Sequence, residues 1–137
     1  DYIFDWEKML SFEGNTAPYL QYAYARISSI FRKWRGNRED LSSSQIICSS
    51  PEETNLARRL VCFPSAVEEA SSNFAPHKIC TQLFSVASAF ATFYEKCPVL
   101  NSDDHNLEIS RLALCELTSR QLELGLGLLG IEVPSRM

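Results

Sequence analysis

The sequence predicts an all-α protein, a helical bundle of five to six helices, and two observations support this prediction. Apolar residues recur three, four or seven positions apart over long stretches, a spacing that places them on one face of a helix. No stretch alternates apolar and polar residues at every second position, as a half-buried strand would. Helices packed around one core are the architecture that buries such faces.

Length and composition indicate one soluble globular domain. The chain has 137 residues, of which 45% are hydrophobic and 22% charged, which is enough for a sizeable core. It starts at Asp1 without a signal peptide, and it has no apolar run long enough to cross a membrane. We therefore expect a cytoplasmic protein without membrane contact, and the abrupt start suggests a piece of a longer chain.

The five cysteines are at least 14 residues apart and include no C-x-x-C pair. Neither histidine has the spacing of a zinc site, so we predict no metal site and no disulfide scaffold. Free, mostly buried thiols in a reducing compartment are the expectation.

The N-terminal dozen residues are crowded with large apolar side chains, namely Phe4, Trp6, Met9, Leu10 and Phe12. They indicate a short helix or turn that docks onto something large. The first long helix is predicted to begin after a cap at Asn15 or Thr16 and to run to about Lys33 or Trp34. Its Tyr19 and Tyr22 fit two roles: half-buried core residues or a stacking platform for bases.

A cluster of basic residues follows on this helix and just beyond it. Residues 24–38 contain five of the thirteen basic residues and none of the seventeen acidic ones; the five are Arg26, Arg32, Lys33, Arg35 and Arg38. They are either cations that suit the negative C-terminal end of a helix dipole or contacts for phosphates. The net charge of −4 argues against generic nucleic-acid binding.

Prolines mark the starts of the next three helices. Residues 36–50 are predicted to be a polar, mobile loop. The helix that begins at Pro51 is predicted to bury Leu56, Leu60 and Val61, and the helix that begins at Pro64 to bury Val67, Ala70 and Phe74. The helix that begins at Pro76 runs to about Glu95 with a stripe formed by Ile79, Leu83, Val86, Phe90 and Phe93.

The last third of the chain predicts one long helix that ends at Gly130, a C′ glycine, with Pro134 preventing a restart. One stripe consists of Ile109, Leu112, Cys115, Leu122, Leu126 and Leu129. Four further leucines are predicted to widen the stripe almost all the way round, so that the helix lies among other helices: Leu114, Leu117, Leu124 and Leu128.

No catalytic constellation is present. The sequence lacks G-x-S-x-G, a glycine-rich phosphate loop, H-E-x-x-H and a dinucleotide-binding fingerprint. Asp104 beside His105 in a polar loop is a weak candidate for a site. We therefore predict that this chain has no catalytic residues of its own.

Two segments together resemble the C-terminal part of arginyl-tRNA synthetases. Residues 12–30 read FEGNTAPYLQYAYARISSI, and residues 111–114, 125–131 and 134–137 match the end of the family's chain, which closes in Arg-Met. Between them, residues 90–100 match a further helix end. The long first motif also argues against the anticodon domains of cysteinyl or methionyl synthetases.

The resemblance implies a fragment of a class I arginine–tRNA ligase. Residues 1–13 would end the connection from a missing catalytic domain, and residues 14–137 would form the all-helical anticodon-binding domain. The nucleotide-binding signatures of the family are absent, so ATP and magnesium would belong to the full-length enzyme and this fragment would hold no cofactor. Its partners would be the anticodon stem-loop of tRNA(Arg) and the catalytic domain.

The resemblance also implies the RNA-binding residues. Tyr19, Tyr22 and Tyr94 match positions where the family presents aromatic rings to the anticodon loop, whose central base is cytosine, and Met137 matches a methionine able to pack on a base. Pro98 falls where some relatives carry another aromatic residue. The cations implied to bind RNA are Arg26, Arg32, Lys33, Arg35 and Arg136. The alternative is a helical protein-interaction module without RNA binding, which would use Phe4, Trp6 and Phe12.

Overall fold

The computed structural model describes residues 5–100, 102, 104–134 and 136. Over these residues the chain forms six α-helices, one 3-10 helix and no strand, which confirms the predicted all-α bundle. The α-helices are α1 (Trp6–Met9), α2 (Ala17–Lys33), α3 (Pro51–Val61), α4 (Phe63–Ser72), α5 (His77–Lys96) and α6 (His105–Leu128). The 3-10 helix, Arg38–Ser43, lies between α2 and α3.

Helix α1 is a single turn that is exposed to solvent. The Asp5 carboxylate caps it by accepting hydrogen bonds from the Glu7 and Lys8 amides. Trp6, Leu10 and Phe12 are each more than half exposed, and the Phe12 ring contacts that of Tyr22 edge-on, with ring centres 6.5 Å apart. The prediction for Phe4 lies outside the described residues.

Helix α2 begins and ends as predicted. The Thr16 hydroxyl accepts a hydrogen bond from the Tyr19 amide, and Pro18 stands in the first turn. Ile27 and Ile30 are buried against α5 and α6. This packing leaves the face that carries Tyr22 toward solvent.

Helix α3 starts with a capping box in which Ser50 and Glu53 exchange hydrogen bonds with each other's backbone amides. Leu56 and Leu60 are buried as predicted, but Val61 is 75% exposed, and its predicted burial is wrong. Val61 is the last residue of α3, and one step beyond Leu60 turns it about 100° away from the core.

Helix α4 ends at Ser72, two residues before Phe74. The prediction that Phe74 lies on its inner face is therefore wrong. Phe74 has a φ of 51° and its side chain is 94% exposed. Ala70 is buried and Val67 is half-buried, as the helical spacing indicates.

Helices α5 and α6 form the centre of the bundle. All five residues of the predicted α5 stripe are buried. Along α6, Leu112, Cys115, Leu122 and Leu126 are fully buried, whereas Ile109 and Leu129 at its two ends are half-buried.

The prediction that leucines surround α6 almost completely is wrong in part. Leu114 is buried, but Leu117, Leu124 and Leu128 are each at least 40% exposed. One side of α6 therefore faces solvent, because its partners α2, α3, α5 and the 3-10 helix cover only the rest. Gly130, with a φ of 74°, ends the helix as predicted.

Residues 36–50 are not simply a mobile loop. Their 3-10 helix buries Leu41, and the Ser110 hydroxyl on α6 exchanges two hydrogen bonds with the Ile47 backbone, at 2.7 and 3.0 Å. Arg38 forms an ion pair with Glu116 on α6. The segment thus contacts α6 at several points, which its polar composition does not indicate.

All five cysteines lie in the described part of the chain and are free thiols. The prediction that most are buried is wrong, because only Cys97 and Cys115 are buried whereas Cys48 and Cys62 are exposed. Within the described residues, no helix is long and apolar enough to cross a membrane, and no group of three or more potential ligands could hold a metal ion.

Candidate nucleic-acid interface

The outer face of α2 carries a line of polar and aromatic side chains one helical turn apart. Tyr22, Arg26 and Ser29 follow each other at spacings of four and three residues, which places them on one side of the helix. The Arg26 guanidinium donates a hydrogen bond of 3.0 Å to the Tyr22 hydroxyl. Tyr22 is 43% exposed, so its ring remains accessible beside this contact.

Tyr94 completes a cluster by reaching Arg26 from the C-terminal end of α5. The guanidinium carbon of Arg26 lies 5.0 Å from the ring centre of Tyr22 and 4.9 Å from that of Tyr94. Each such cation–π contact contributes about 0.5–1 kcal/mol at an exposed site. The buried ring of Phe90, 5.9 Å away, supports Tyr94 from below. We call Tyr22, Arg26 and Tyr94 the aromatic–arginine cluster.

Two hollows flank this cluster. The first hollow has a volume of about 250 Å³ and is lined by Ser29, Ile30, Lys33, Tyr94, Pro98, Val99 and Leu100. The second hollow has about 230 Å³ and is lined by Tyr22, Ala25, Arg26, Ser29, Arg32 and Arg136. Both are below the range of about 300–1,000 Å³ that is typical for drug-sized ligands. They suit a single flat or charged group each.

The C-terminal tail brings Arg136 to the second hollow. After the turn at Gly130, the Ile131 amide donates to the Leu126 carbonyl at 2.9 Å. The Gln21 side chain of α2 then donates to the Glu132 carbonyl at 2.8 Å. Ile131 and Val133 pack against the core. The tail therefore returns along α2, and three arginines line one hollow.

Six of the nine residues that were predicted to bind RNA lie in this cluster or line its hollows. They are Tyr22, Arg26, Arg32, Lys33, Tyr94 and Arg136. Tyr19 is half-buried with its ring 5.6 Å from that of Phe84, and burial raises the pKa of its hydroxyl. Arg35 is exposed beyond the end of α2 and lines neither hollow, and Met137 lies outside the described residues.

Arg38, the last residue of the predicted basic cluster, and Tyr24 face α6 instead. Arg38 donates to Glu116 at 2.8 Å and lies 4.1 Å from the ring centre of Phe31. Burial, followed by the nearby Glu123 carboxylate, raises the pKa of Tyr24. Arg38 and Tyr24 thus serve the contact between α2 and α6.

Sequence reasoning missed the residues that support the first hollow. Glu53, at the start of α3, is fully buried and pairs with Arg111 of α6 at 2.7 Å. Burial alone would raise the pKa of Glu53, but hydrogen bonds from Arg111, Ser49 and Ser50 hold it below its usual value. The available signals were the S-x-x-E pattern at Ser50 and the position of Arg111 beside apolar residues of α6.

Comparisons with known proteins match all or nearly all of the chain to one family. The sequence profile described as the DALR anticodon binding domain matches residues 20–137. The chain is 48% identical to an arginine–tRNA ligase of Pasteurella multocida and 46% identical to one of Escherichia coli, each over all 137 residues and over 24% of the relative's length. It therefore spans about a quarter of the length of the curated relatives that it matches.

Solved structures show the same similarity. The arginyl-tRNA synthetase of Plasmodium falciparum superposes with a TM-score of 0.87 at 36% identity, covering all of this chain and 24% of that one. The synthetase of Thermus thermophilus superposes with a TM-score of 0.83 at 38% identity, covering 98% of this chain and 23% of that one.

Proposed function

This chain belongs to the DALR anticodon binding domain family, and from that premise we propose that it binds a tRNA anticodon loop through the aromatic–arginine cluster and its two hollows. The observation that carries this proposal is the Arg26 guanidinium held between two partly exposed tyrosine rings. A cation fixed between two aromatic faces is suited to a substrate that combines flat bases with phosphates.

The chemistry of the cluster fits an unpaired RNA loop. Loop bases stack on aromatic or guanidinium planes, and each stack is worth about 1–3 kcal/mol. Arg32, Lys33 and Arg136 are in place to meet phosphates. The Ser29 hydroxyl, which lines both hollows, can donate to or accept from a base edge. Roles for Tyr19, Arg35 and Met137 stay predictions.

We further propose that the whole protein is an arginine–tRNA ligase that uses ATP and magnesium to attach arginine to tRNA(Arg). Identities of 46–48% to relatives of that name support this proposal. Residues 1–13 would then end the connection from the catalytic domain, since the Gly14 turn, with a φ of 79°, separates exposed α1 from the bundle. The five free thiols favour the cytoplasm.

A titration with an RNA hairpin of about 17 nucleotides tests the binding proposal. One hairpin carries an arginine anticodon, and its partner differs only at the central cytosine. We expect tighter binding of the cytosine hairpin and a loss of about 5- to 150-fold in affinity for Tyr94→Ala, with a further loss of preference when Met137 is removed. Tyr94→Phe is the matched control, because it keeps the ring.

Two results would contradict the proposal. Equal and purely salt-sensitive binding of both hairpins would leave only a basic surface. No binding at all would favour the protein-interaction module, whose one supporting observation is the exposure of Trp6, Leu10 and Phe12.

A further inference from the structure

One wall of the first hollow is a short non-helical segment, residues 98–100, just after α5. Pro98, Val99 and Leu100 line the hollow together with Lys33 of α2 and Tyr94 of α5. The backbone leaves α5 after Cys97, whose amide makes the last helical hydrogen bond, to Phe93. The wall therefore depends on contacts from other parts of the fold for its position.

Arg111 on α6 supplies such a contact. Its Nη1 donates a hydrogen bond of 2.8 Å to the Pro98 carbonyl, and its Nε donates one of 2.7 Å to the Glu53 carboxylate. The Arg111 side chain is only 11% exposed and that of Glu53 is fully buried. One guanidinium thus joins the wall of the hollow to the start of α3.

Glu53 is itself held firmly. Its second carboxylate oxygen accepts three hydrogen bonds, from the Ser49 amide, the Ser49 hydroxyl and the Ser50 amide, at 2.7–2.8 Å. With the Arg111 bond to the first oxygen, the carboxylate accepts four hydrogen bonds. The carboxylate is therefore a fixed anchor from which Arg111 extends to Pro98.

We propose that Arg111 is a positioning residue that sets the shape of the first hollow, and through it the base selectivity of the anticodon site. This inference rests on the proposed function. Arg111 itself lines neither hollow and acts through the Pro98 carbonyl. An arginine is required because its planar fork serves two acceptors at once, whereas a lysine offers one compact charge.

The substitution Arg111→Lys separates positioning from folding. The lysine keeps a charge beside Glu53 but cannot hold Glu53 and Pro98 in the same geometry. We expect preference for the cytosine hairpin over its changed partner to fall roughly tenfold, the equivalent of one charge-assisted hydrogen bond. Affinity for the changed hairpin and the salt dependence should stay constant, since Arg32, Lys33 and Arg136 remain.

Arg120→Lys is the matched control. Arg120 also lies on α6 and also donates from Nε to a glutamate, Glu116, at 2.8 Å, but it does not touch the wall. It should leave the preference unchanged. If Arg111→Lys retains the preference of the unaltered chain, or if Arg120→Lys loses as much, the inference is overturned.

A second readout does not need RNA. The carbonyl carbon resonance of Pro98 should shift in Arg111→Lys and stay in place in Arg120→Lys, because only the former changes its hydrogen bond. An unshifted resonance overturns the positioning role. A shifted resonance in a chain that shows no preference between hairpins would keep the role in shaping the wall and overturn the anticodon proposal instead.

A double variant covers the case in which Arg111→Lys unfolds. Glu53→Gln with Arg111→Met removes both charges together, so that no unpaired charge stays buried. It should fold and show the same loss of preference. A folded double variant with full preference would refute the inference.

Discussion

Glu53→Gln is expected to destabilise this domain more than any change to a surface charge. The carboxylate has no exposure and accepts four hydrogen bonds, one of them from Arg111. Glutamine keeps one oxygen and turns an NH₂ group toward donors. Removing one partner of a buried ion pair costs about 3–5 kcal/mol. For a chain of this size that lowers the unfolding midpoint by roughly 10–20 °C.

The destabilisation caused by Glu53→Gln should also become smaller at low pH. The pKa of Glu53 is held below its usual value in the fold, so its contribution is present above the unfolded pKa, about 4.3. That contribution is lost as the pH falls through the lower folded pKa. The stability gap between the unaltered chain and Glu53→Gln should therefore be full at pH 7 and shrink on acidification below about pH 4.

Chemical unfolding followed by circular dichroism at several pH values measures this gap. The control is Glu69→Gln, which removes the surface pair with Lys78, whose side chains are 50% and 41% exposed. That change should cost less than about 1 kcal/mol. A gap for Glu53→Gln below about 1 kcal/mol at pH 7, or a gap that stays constant to pH 3, would refute the reasoning.

Three further predictions address other parts of the molecule. Gly125→Ala should destabilise the fold by about 1–3 kcal/mol, because a Cβ there would lie 2.5 Å from the side chain of buried Leu83 on α5. Gly127→Ala, with open space around it, should stabilise the fold by about 0.5–1 kcal/mol. Thermal unfolding measures both changes, and equal effects of the two substitutions would contradict the packing. Lys33→Ala should weaken RNA binding equally for both hairpins and reduce the slope of log K against log salt by about 0.7–0.9; a sequence-dependent loss would refute a phosphate contact. A thiol reagent should modify exposed Cys62 in the native chain but not Cys115, since full burial strongly raises the pKa of Cys115; rapid labelling of Cys115 would show that the core opens.

The parts of the fold that depend on local signals could be predicted from the sequence. The cap at Thr16, the stripe of α5 and the stop at Gly130 each rest on residues within a turn or two of one another, and all were confirmed. Val61 and Phe74 were wrong because helical spacing does not tell where a helix ends. The exposed side of α6 could not be predicted either, because apolar spacing does not reveal how many partners a helix has.

In the candidate site, too, local contacts could be predicted from the sequence and long-range contacts could not. Tyr22 and Arg26 share one helix face, so their proximity follows from spacing alone. Tyr94 joins them only because α5 packs against α2, and the resemblance, not the spacing, pointed to it. The bridge from Glu53 through Arg111 to Pro98 joins residues 58 and 13 positions apart. No local sequence pattern predicts which buried charged residues form a pair.

The most direct test of the account is to record which side-chain resonances change when the cytosine hairpin is added to this chain. Tyr22 and Tyr24 stand two residues apart on α2, but only Tyr22 belongs to the aromatic–arginine cluster. The account predicts large shifts at Tyr22, the Arg26 guanidinium and Tyr94, with Tyr24 unmoved. Shifts centred instead on Val61 and Phe74, or equal shifts at both α2 tyrosines, would contradict it.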